Sequence, residues 1–329
     1  MRPEPPPVSV VMPVRDAADY LPQALAQLAA IEGPHEIVLV DDGSTDGGAE
    51  LLTEFCRDRP DRRLVSLAAP VGAATARDRG IAQAAGRYIW CCDVDDEWEP
   101  GLVARLLQTA TETDSDIVCC RAERVEADGR TWLMEGPDVA EIAGRSAFAG
   151  LVLAGTLRGY LWNKLFRAST LRPTNRRRLT SQDDFLVLLD ALDRADRVAF
   201  VPDVLYRYVE RPGSVSTGDA LRLENTAFCC DEALARLGPR LPQRRRDATL
   251  GYFRLWFHAV PCATTPVHQG WDARVAAEVR RRARRHIRWR AIGTALRHRR
   301  VGLAGHALLI KTTGPLFPPL YRTARRLLQ

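Results

Sequence analysis

The sequence predicts an α/β fold, in which a mostly parallel sheet is flanked by helices, followed by a helical region at the carboxyl end. Three observations lead to this prediction. Short apolar runs alternate with helically spaced segments over the first 120 residues. Polar or acidic clusters follow several of these runs, where strands would end. After about residue 219 the apolar spacing is helical throughout.

The first 120 residues contain repeated strand and helix patterns. The predicted strands are residues 8–12, 36–40, 64–67, 88–92 and 116–120, and the predicted helices are residues 19–30, 49–57, 73–85 and 100–111. The strands are short apolar or β-branched runs, whereas the helices repeat apolar residues every three or four positions. This alternation is typical of a parallel sheet covered by helices.

The pattern changes after residue 120. Gly129 indicates a hairpin turn, and the further predicted elements are helices at residues 145–153 and 181–194 and a strand at residues 198–202. The helical region beyond residue 219 has predicted interruptions at residues 238–242 and 261–270. We therefore expect two parts, an α/β domain over residues 1–219 and a basic helical region over residues 220–329.

Composition excludes several classes of protein. With 329 residues, 46% hydrophobic and 27% charged, the chain is too long for a disulfide-stapled mini-protein and too apolar for a disordered one. The formal charge of +6 is uneven, because residues 220–329 hold 22 Lys and Arg against 6 Asp and Glu, a net of +16. The remaining residues then carry 25 minus 35, or −10. Acidic and basic parts of this kind imply different partners.

The cysteines and the amino-terminal residues indicate the compartment. The eight cysteines include three adjacent pairs and no CxxC spacing, so we expect small buried side chains in a reducing environment. The start MRPEPPPVSV lacks the basic and apolar segments of a signal peptide. No run of 18 uncharged apolar residues occurs. The expectation is a cytoplasmic protein.

One acidic cluster follows the strand predicted at residues 88–92. Asp93, Asp95 and Asp96 place three carboxylates within four residues, which repel one another unless a cation or solvent is close. Oxygen ligands without nearby His or Cys favour Mg²⁺ or Mn²⁺, whose shell is completed by phosphates and water. The alternative is a solvated acidic turn.

A second acidic cluster, residues 41–44 with the sequence DDGS, follows the strand at residues 36–40. Its carboxylates are suited to accept from a base N–H or a ribose hydroxyl, as strand-end acids do in dinucleotide folds. The alternative is a capped start of a helix. The chain has no GxGxxG after the first strand and no P-loop, which argues against NAD, FAD and Walker-type sites.

In order and spacing, these segments resemble glycosyltransferase family 2, the inverting enzymes of the GT-A fold that use nucleotide-sugars. The matching segments are VSVVMPV at residues 8–14, EIVLVDDGSTD at 36–46, Gly72, ARDRGI at 76–81, AGRYI at 85–89, DVDD at 93–96, WNKLF at 162–166, Asp183-Asp184, LYRY at 205–208, Arg211, Gly213 and Ser214. The later blocks look like those of bacterial cell-surface polysaccharide members. The resemblance covers roughly residues 7–217.

The resemblance implies a donor site. The residues that it places at the nucleotide-sugar are Pro13, Val14, Asp42, Ser44, Arg77 and Asp93. The first two would border the nucleobase, and Asp42 would pair with its N3–H. Asp93 would approach the ribose or the metal, and Asp95 would coordinate Mn²⁺ or Mg²⁺ on the diphosphate.

The resemblance also implies an acceptor side. Asp184 matches the catalytic base at the start of a helix, with Asp183 where a Glu is more usual. Because the register is ambiguous by one residue, either carboxylate is a candidate base. Trp162, Asn163 and Lys164 would line the acceptor side, although a solvated amine is an alternative for Lys164.

Two departures from the family pattern concern the nucleotide pocket. Arg15-Asp16 replaces the common Tyr-Asn after the first strand, and Asp78 replaces the Asn of the Ala-Arg-Asn block. Details of that pocket are therefore expected to differ from those of other members.

The carboxyl-terminal region is strongly basic. Residues 274–300 hold eleven arginines and one acid, Glu278, with apolar residues at helical spacing: Val275, Val279, Ala283, Ile287, Trp289 and Ile292. Such a helix is suited to the surface of an anionic membrane, and residues 303–320 add apolar stretches that would dip into the interface. The alternatives are a solvated helix packed on the enzyme, a homo-oligomer contact, or nucleic-acid binding. No basic-aromatic reading motif supports nucleic acid.

The predicted function is metal-dependent, inverting transfer of a sugar from a nucleotide-sugar, a UDP-sugar in our prediction, to a cell-surface polysaccharide, a lipid-linked glycan or a polyol-phosphate wall polymer. The enzyme would be cytoplasmic or peripheral on the inner face of the membrane. Two alternatives are a nucleotide-binding module without turnover and a nucleotidyltransferase. The second would need a glycine-rich, basic loop after the first strand, and residues 13–19 do not provide one.

Overall fold

The computed structural model describes residues 6–126, 129–134, 136–137, 139–171, 179, 181–210 and 220–328. The chain divides into two compact units. The first unit comprises residues 1–148 and 158–217, and the second comprises residues 149–157 and 218–329. Arg211, Gly213 and Ser214, which contributed to the family resemblance, lie outside the described residues.

The first unit contains one mixed sheet. Its strands are β1 (Val8–Val14), β2 (His35–Asp41), β3 (Arg62–Ser66), β4 (Tyr88–Cys91), β5 (Glu97–Trp98), β6 (Ile117–Val125), β7 (Thr131–Leu133), β8 (Glu141–Gly144), β9 (Lys164–Arg167) and β10 (Arg197–Val209). The strand order is β3-β2-β1-β4-β9-β6-β10-β5, with β7 on β6 and β8 on β10.

The helices of the first unit are α1 (Leu21–Ala29), α2 (Gly48–Cys56), α3 (Ala73–Gln83), α4 (Leu102–Thr113) and α6 (Asp183–Arg194). Those of the second are α5 (Phe148–Ala154), α7 (Ala220–Leu237), α8 (Gln243–Phe253), α9 (Val260–His268), α10 (Ala273–His286), α11 (Trp289–Arg297), α12 (Val301–Thr313) and α13 (Phe317–Leu328).

The predicted α/β class is confirmed, although the sheet is more mixed than expected. β1 pairs in parallel with β2 and β4, β2 with β3, and β6 with β10. β9 runs antiparallel between β4 and β6. The sequence does not predict this strand, because its four residues are too few to show a periodicity. β10 continues to Val209, past Pro202, because that proline lies where the β10–β6 register shifts and no regular hydrogen bond is lost there.

The two faces of β1 carry different helices. Val8, Val10 and Met12 point into a core that also contains the buried faces of α1 and α4. The other face receives α3, and Gly80 makes this approach close. A Cβ on Gly80 would lie 2.5 Å from Val11 Cγ1 and 2.9 Å from Val40 Cγ2, so a larger residue would push the helix away. This packing fixes the position of α3 beside the edge where β1 and β2 end.

The second unit is helical, as predicted beyond residue 219, but two of the breaks between its helices differ from the prediction. The interruption predicted at residues 261–270 begins only after His268, because α8, a π-helical segment (Arg254–Ala259) and α9 follow one another without a break up to that residue. Pro261 is the second residue of α9, which directly follows the π-helical segment, where the regular α-helical hydrogen bonding is already altered.

The single basic helix predicted at residues 274–300 is instead two helices, α10 and α11. The chain adopts an extended conformation at Ile287 between them. Ala283, Ile287 and Ile292 are buried in the core of the second unit, and Val279 packs against it. These residues therefore do not form the lipid-facing stripe that their spacing suggested.

Two expectations about composition can be compared with the structure. All eight cysteines are free thiols, seven buried and Cys56 half-buried, as expected for small apolar side chains. Among the helices that the structure describes, none combines the length and apolar character needed to cross a bilayer.

Candidate active site

The carboxyl ends of three parallel strands bring the acidic clusters together. β1 ends at Val14, β2 at Asp41 and β4 at Cys91, and the three strands are hydrogen-bonded neighbours. Asp42 follows β2 directly and Asp93 follows β4 after one residue, so both lie at one edge of the sheet. Open α/β sheets bind their ligands at this edge.

The loops after β1 and β2 are joined by reciprocal hydrogen bonds. Asp16 Oδ1 accepts from the backbone N–H of Thr45 at 2.8 Å, and Ser44 Oγ accepts from the backbone N–H of Asp16 at 3.1 Å. Asp46 Oδ2 accepts from Ala18 N–H at 2.7 Å. Asp16 has a φ of +45°, which Asp tolerates better than most residues. Asp16, a departure from the family pattern, thus serves to fix this loop pair.

Asp42 fixes the start of α3. Its two carboxylate oxygens accept from the backbone N–H groups of Val71 at 2.7 Å and Gly72 at 2.9 Å. The residue is 1% exposed, so a further partner would have to use the remaining lone pairs. Its pairing with a nucleobase, and the nucleobase contacts of Pro13 and Val14, stay predictions.

Arg77, on α3, joins two carboxylates from different parts of the chain. Its Nη1 donates to Asp184 Oδ1 at 2.5 Å, and its Nη2 lies 3.6 Å from Asp93 Oδ1. The side chain is 9% exposed. Burial by itself lowers the pKa of Arg77, but the carboxylates of Asp184 and Asp93 raise it well above its usual value. The predicted nucleotide-binding arginine therefore links the donor-side acid to the candidate base.

The surroundings of Asp93 disfavour the charged form of its carboxyl group. Burial, together with the nearby charges of Asp184 and Asp95, raises the pKa of Asp93 to about 6 even though Arg77 opposes the shift. Such a carboxylate gains from an additional cation. Within the described ranges, no three His, Cys, Asp or Glu side chains are grouped to hold a metal by themselves. An ion at Asp93 and Asp95 would need phosphate and water ligands, as Mg²⁺ commonly does.

Asp96 anchors the acidic turn, a role that the sequence analysis did not assign. Its Oδ2 accepts from Tyr206 Oη at 2.7 Å and its Oδ1 from the backbone N–H of Val209 at 2.9 Å. Burial raises the pKa of Asp96 to about 8. The blocks DVDD and LYRY both belong to the family resemblance, so a search for contacts between matched blocks would have found this pair.

The candidate bases open α6. Asp183 is buried, whereas the Asp184 side chain is 30% exposed and contacts Arg77. Both acids stand at the positive end of the helix dipole. The start of the helix is held closely by Gly159, because a Cβ there would lie 2.8 Å from both Cα and Cβ of Phe185. The two carboxylates therefore differ in access to solvent.

Trp162 and Lys164 are buried, and Asn163 between them is half-buried. Trp162 is 4% exposed and stacks on Tyr206, with ring centroids 4.5 Å apart. Lys164 is 1% exposed, and its Nζ donates to Tyr160 O at 2.6 Å and Asn163 Oδ1 at 2.7 Å. The alternative of a solvated amine is therefore wrong. Burial lowers the pKa of Lys164. The acceptor-side role of the three residues stays a prediction.

Comparisons with known proteins show the same family. Residues 9–164 match the family model described as glycosyl transferase family 2. The chain is 29% identical over 263 residues to the succinoglycan biosynthesis protein ExoO of Rhizobium meliloti, covering 73% of each chain. Six further curated glycosyltransferases, 27% to 34% identical, are matched over only 37% to 62% of their own length. The chain thus spans about half the length of most of these relatives.

Solved structures share the fold. Residues 1–349 of TarS from S. aureus, in complex with UDP-GlcNAc, superpose with a TM-score of 0.67 and 18% identity, covering 96% of this chain and 92% of that chain. The mannosyltransferase PcManGT from Pyrobaculum calidifontis, in complex with GDP-Man and Mn²⁺, gives a TM-score of 0.51 and 17% identity, covering 97% and 87%. The fold is the GT-A fold that the sequence predicts. Residues 9–164, just under half of the chain, match glycosyl transferase family 2, the family that the sequence resembles.

Proposed function

We propose that the chain transfers a sugar, with inversion, from a UDP-sugar to a hydroxyl group of a bacterial cell-surface glycan or polyol-phosphate wall polymer. The family match supports glycosyl transfer. The similarity to ExoO, a succinoglycan biosynthesis protein, supports a polysaccharide acceptor, and the TarS complex with UDP-GlcNAc supports the uridine nucleotide.

The observation on which the proposal chiefly rests is the bridge made by Arg77. One buried guanidinium lies against Asp93, next to the acidic turn, and against Asp184, at the start of α6. A glycosyl transfer needs groups that bind the diphosphate and a base that removes the acceptor proton, close enough to act on one anomeric carbon. Arg77 keeps the candidates for both tasks within one cluster of side chains.

Asp95 and Asp93 suit a divalent ion. They are oxygen donors, the pKa of Asp93 is raised by burial and neighbouring acids, and no His or Cys competes in the acidic turn. When bound there with the donor, Mn²⁺ or Mg²⁺ supplies Lewis-acid stabilisation of the leaving diphosphate. Asp96 holds the turn that presents these two carboxylates, through Tyr206 and Val209.

Asp184 is the proposed catalytic base. The acceptor oxygen forms a bond to the anomeric carbon while the bond from that carbon to the diphosphate breaks, and the hydroxyl proton passes to the Asp184 carboxylate. A single displacement of this kind inverts the configuration. The accessible position of Asp184 favours it over the buried Asp183. Arg77 orients the Asp184 carboxylate and compensates its charge.

Donor binding is tested by a thermal-shift series of UDP-, GDP-, ADP- and TDP-sugars, each with and without Mn²⁺, followed by nucleotide-release measurements on the donor that stabilises the chain. The proposal expects one UDP-sugar to raise the melting temperature in a metal-dependent manner and to release UDP. No shift with any donor would refute it. Binding without release or transfer would identify a nucleotide-binding module instead.

A further inference from the structure

The second unit exposes two large apolar side chains, and basic residues lie in or near the segments that carry them. Trp289, the first residue of α11, is 60% exposed, and Leu316, in the turn between α12 and α13, is 64% exposed. We call Trp289, Leu316, Lys311, Arg280 and Arg284 the basic-apolar patch. Exposed side chains of this size usually indicate an interaction surface when they occur together.

Three contacts connect the segments that carry these residues. Lys311 Nζ lies 5.3 Å from the centroid of the Trp289 ring and donates to Ile287 O at 2.6 Å. Three residues later, a Cβ on Gly314 would lie 4.0 Å from Arg284 Nη1. The Arg280 guanidinium lies 5.9 Å from the centroid of Phe317, the residue that follows Leu316. Lys311 thus lies beside Trp289, and two arginines of α10 lie near Gly314 and Phe317, on either side of Leu316 in the chain.

The charge of this segment is almost wholly positive. Residues 274–329 contain fourteen Arg and one Lys but a single acid, Glu278. Glu278 pairs with Arg281 and Arg282, both on α10. The acids of this segment therefore cannot neutralise its arginines. The partner that compensates such a surface has to be anionic.

We propose that the basic-apolar patch docks on the surface of an anionic lipid bilayer. Trp289 would lie at the headgroup level and Leu316 among the upper acyl carbons, while Arg280, Arg284 and Lys311 face lipid phosphates. This arrangement differs from the stripe that the sequence suggests, because Ala283, Ile287 and Ile292 are buried in the core of the second unit.

Charge also separates the membrane from other partners. A second copy of this chain, placed patch against patch, would bring two equally positive surfaces together, and the two would repel each other. Nucleic acid supplies the negative charge but leaves Leu316 without an apolar environment. An anionic bilayer provides both phosphate and hydrocarbon. The proposal does not rest on the donor, the metal or the catalytic base of the first unit.

Vesicle flotation of the 329-residue chain tests the proposal. Phosphatidylglycerol-rich vesicles should bind the chain on the order of tenfold more tightly than phosphatidylcholine vesicles, with binding weakened by salt. The double variant Trp289→Ser, Leu316→Ser should lose most of this binding. Trp132→Ser is the matched control, since Trp132 is a 54% exposed tryptophan of the first unit. That variant should bind like the unmodified chain.

A second pair of variants separates charge from apolar contact. Arg284→Gln with Arg288→Gln removes one exposed charge of the patch and the exposed charge that precedes Trp289, and leaves Trp289 and Leu316 in place, so it should reduce binding and its salt dependence together. Thermal melting of each variant checks that it is folded. Equal binding to both vesicle types, no vesicle binding, or unchanged binding by the folded Trp289→Ser, Leu316→Ser variant would each overturn the proposal.

Discussion

Arg77 holds Asp184 at 2.5 Å while its other terminal nitrogen lies 3.6 Å from Asp93. The three residues come from the amino-terminal half of α3, from the turn after β4 and from the first turn of α6, so segments far apart in the chain meet in one cluster. The guanidinium offsets the repulsion between two neighbouring carboxylates. We therefore expect stability and the proposed sugar transfer to depend on the same side chain.

Replacing Arg77 by Ala should destabilise the chain by about 3 kcal/mol, because breaking a buried ion pair leaves its acids uncompensated. It should also reduce turnover. Denaturant midpoints and donor turnover measure the two effects. Arg79→Ala, two residues away and exposed, is the control and should have little effect on either. A midpoint for Arg77→Ala equal to that of Arg79→Ala would show that the bridge is unimportant.

Asp95→Asn should weaken the binding of the Mn²⁺ ion on which the proposed sugar transfer depends. If Asp95 holds the ion, the Mn²⁺ concentration for half-maximal nucleotide release should rise at least about tenfold, the loss typical of even an outer-shell partner. The nearby Glu99→Gln, at an exposed acid, should leave that concentration unchanged. An unaltered Mn²⁺ dependence in Asp95→Asn would place the ion elsewhere.

Local signals were enough to predict much of this fold. β1 and β2 are buried β-branched runs followed by turn residues, and their positions follow from the sequence alone. β9 gave no such signal, because its four residues show no period. The contact of Arg77 with Asp184 joins residues 107 positions apart, and no pattern within either segment indicates it.

Helical spacing in the sequence does not show whether the apolar face of a helix packs against a protein core or against a membrane. The spacing of Val279, Ala283 and Ile287 correctly indicated an apolar face on α10, but the same pattern suits a membrane and a protein core. The structure places that face in the core of the second unit. Lys164 illustrates the same limit, because only the fold shows that backbone and amide oxygens receive its amine.

Gly159→Ala should lower turnover by displacing the start of α6. An added Cβ would meet Phe185 Cα and Cβ at 2.8 Å, and overpacking of this kind costs about 1–3 kcal/mol. The shift would move Asp184, the residue before Phe185. Gly150→Ala is the control, because nothing lies within 4 Å of a Cβ there. Full turnover in folded Gly159→Ala would contradict the close positioning of α6.

His258 should make the stability of the second unit sensitive to acid. Burial, with a smaller contribution from His286, lowers the pKa of His258 to about 4. An unfolded chain takes up the proton near pH 6.5, whereas the folded one does not, so the stabilisation present above pH 6.5 is lost as the pH falls towards 4.

Denaturant unfolding at pH 7.5 and pH 5 measures this effect. The unmodified chain should lose up to about 1.4 kcal/mol per pH unit from His258 between those values. The His258→Gln variant should lose less but still some, because the pKa of His286 is also lowered by burial. Identical pH dependence of the two proteins would exclude His258 as a source.

The assignment of Asp184 as the base is tested most directly by comparing Asp184→Asn with Asp183→Asn in single-turnover sugar transfer, with donor affinity measured alongside. Asp184→Asn should lower the rate by about 10²- to 10⁴-fold while donor affinity stays within a few-fold, because only proton removal is lost. Asp183→Asn should have the smaller effect. A normal rate for Asp184→Asn, or a larger loss for Asp183→Asn, would contradict the assignment.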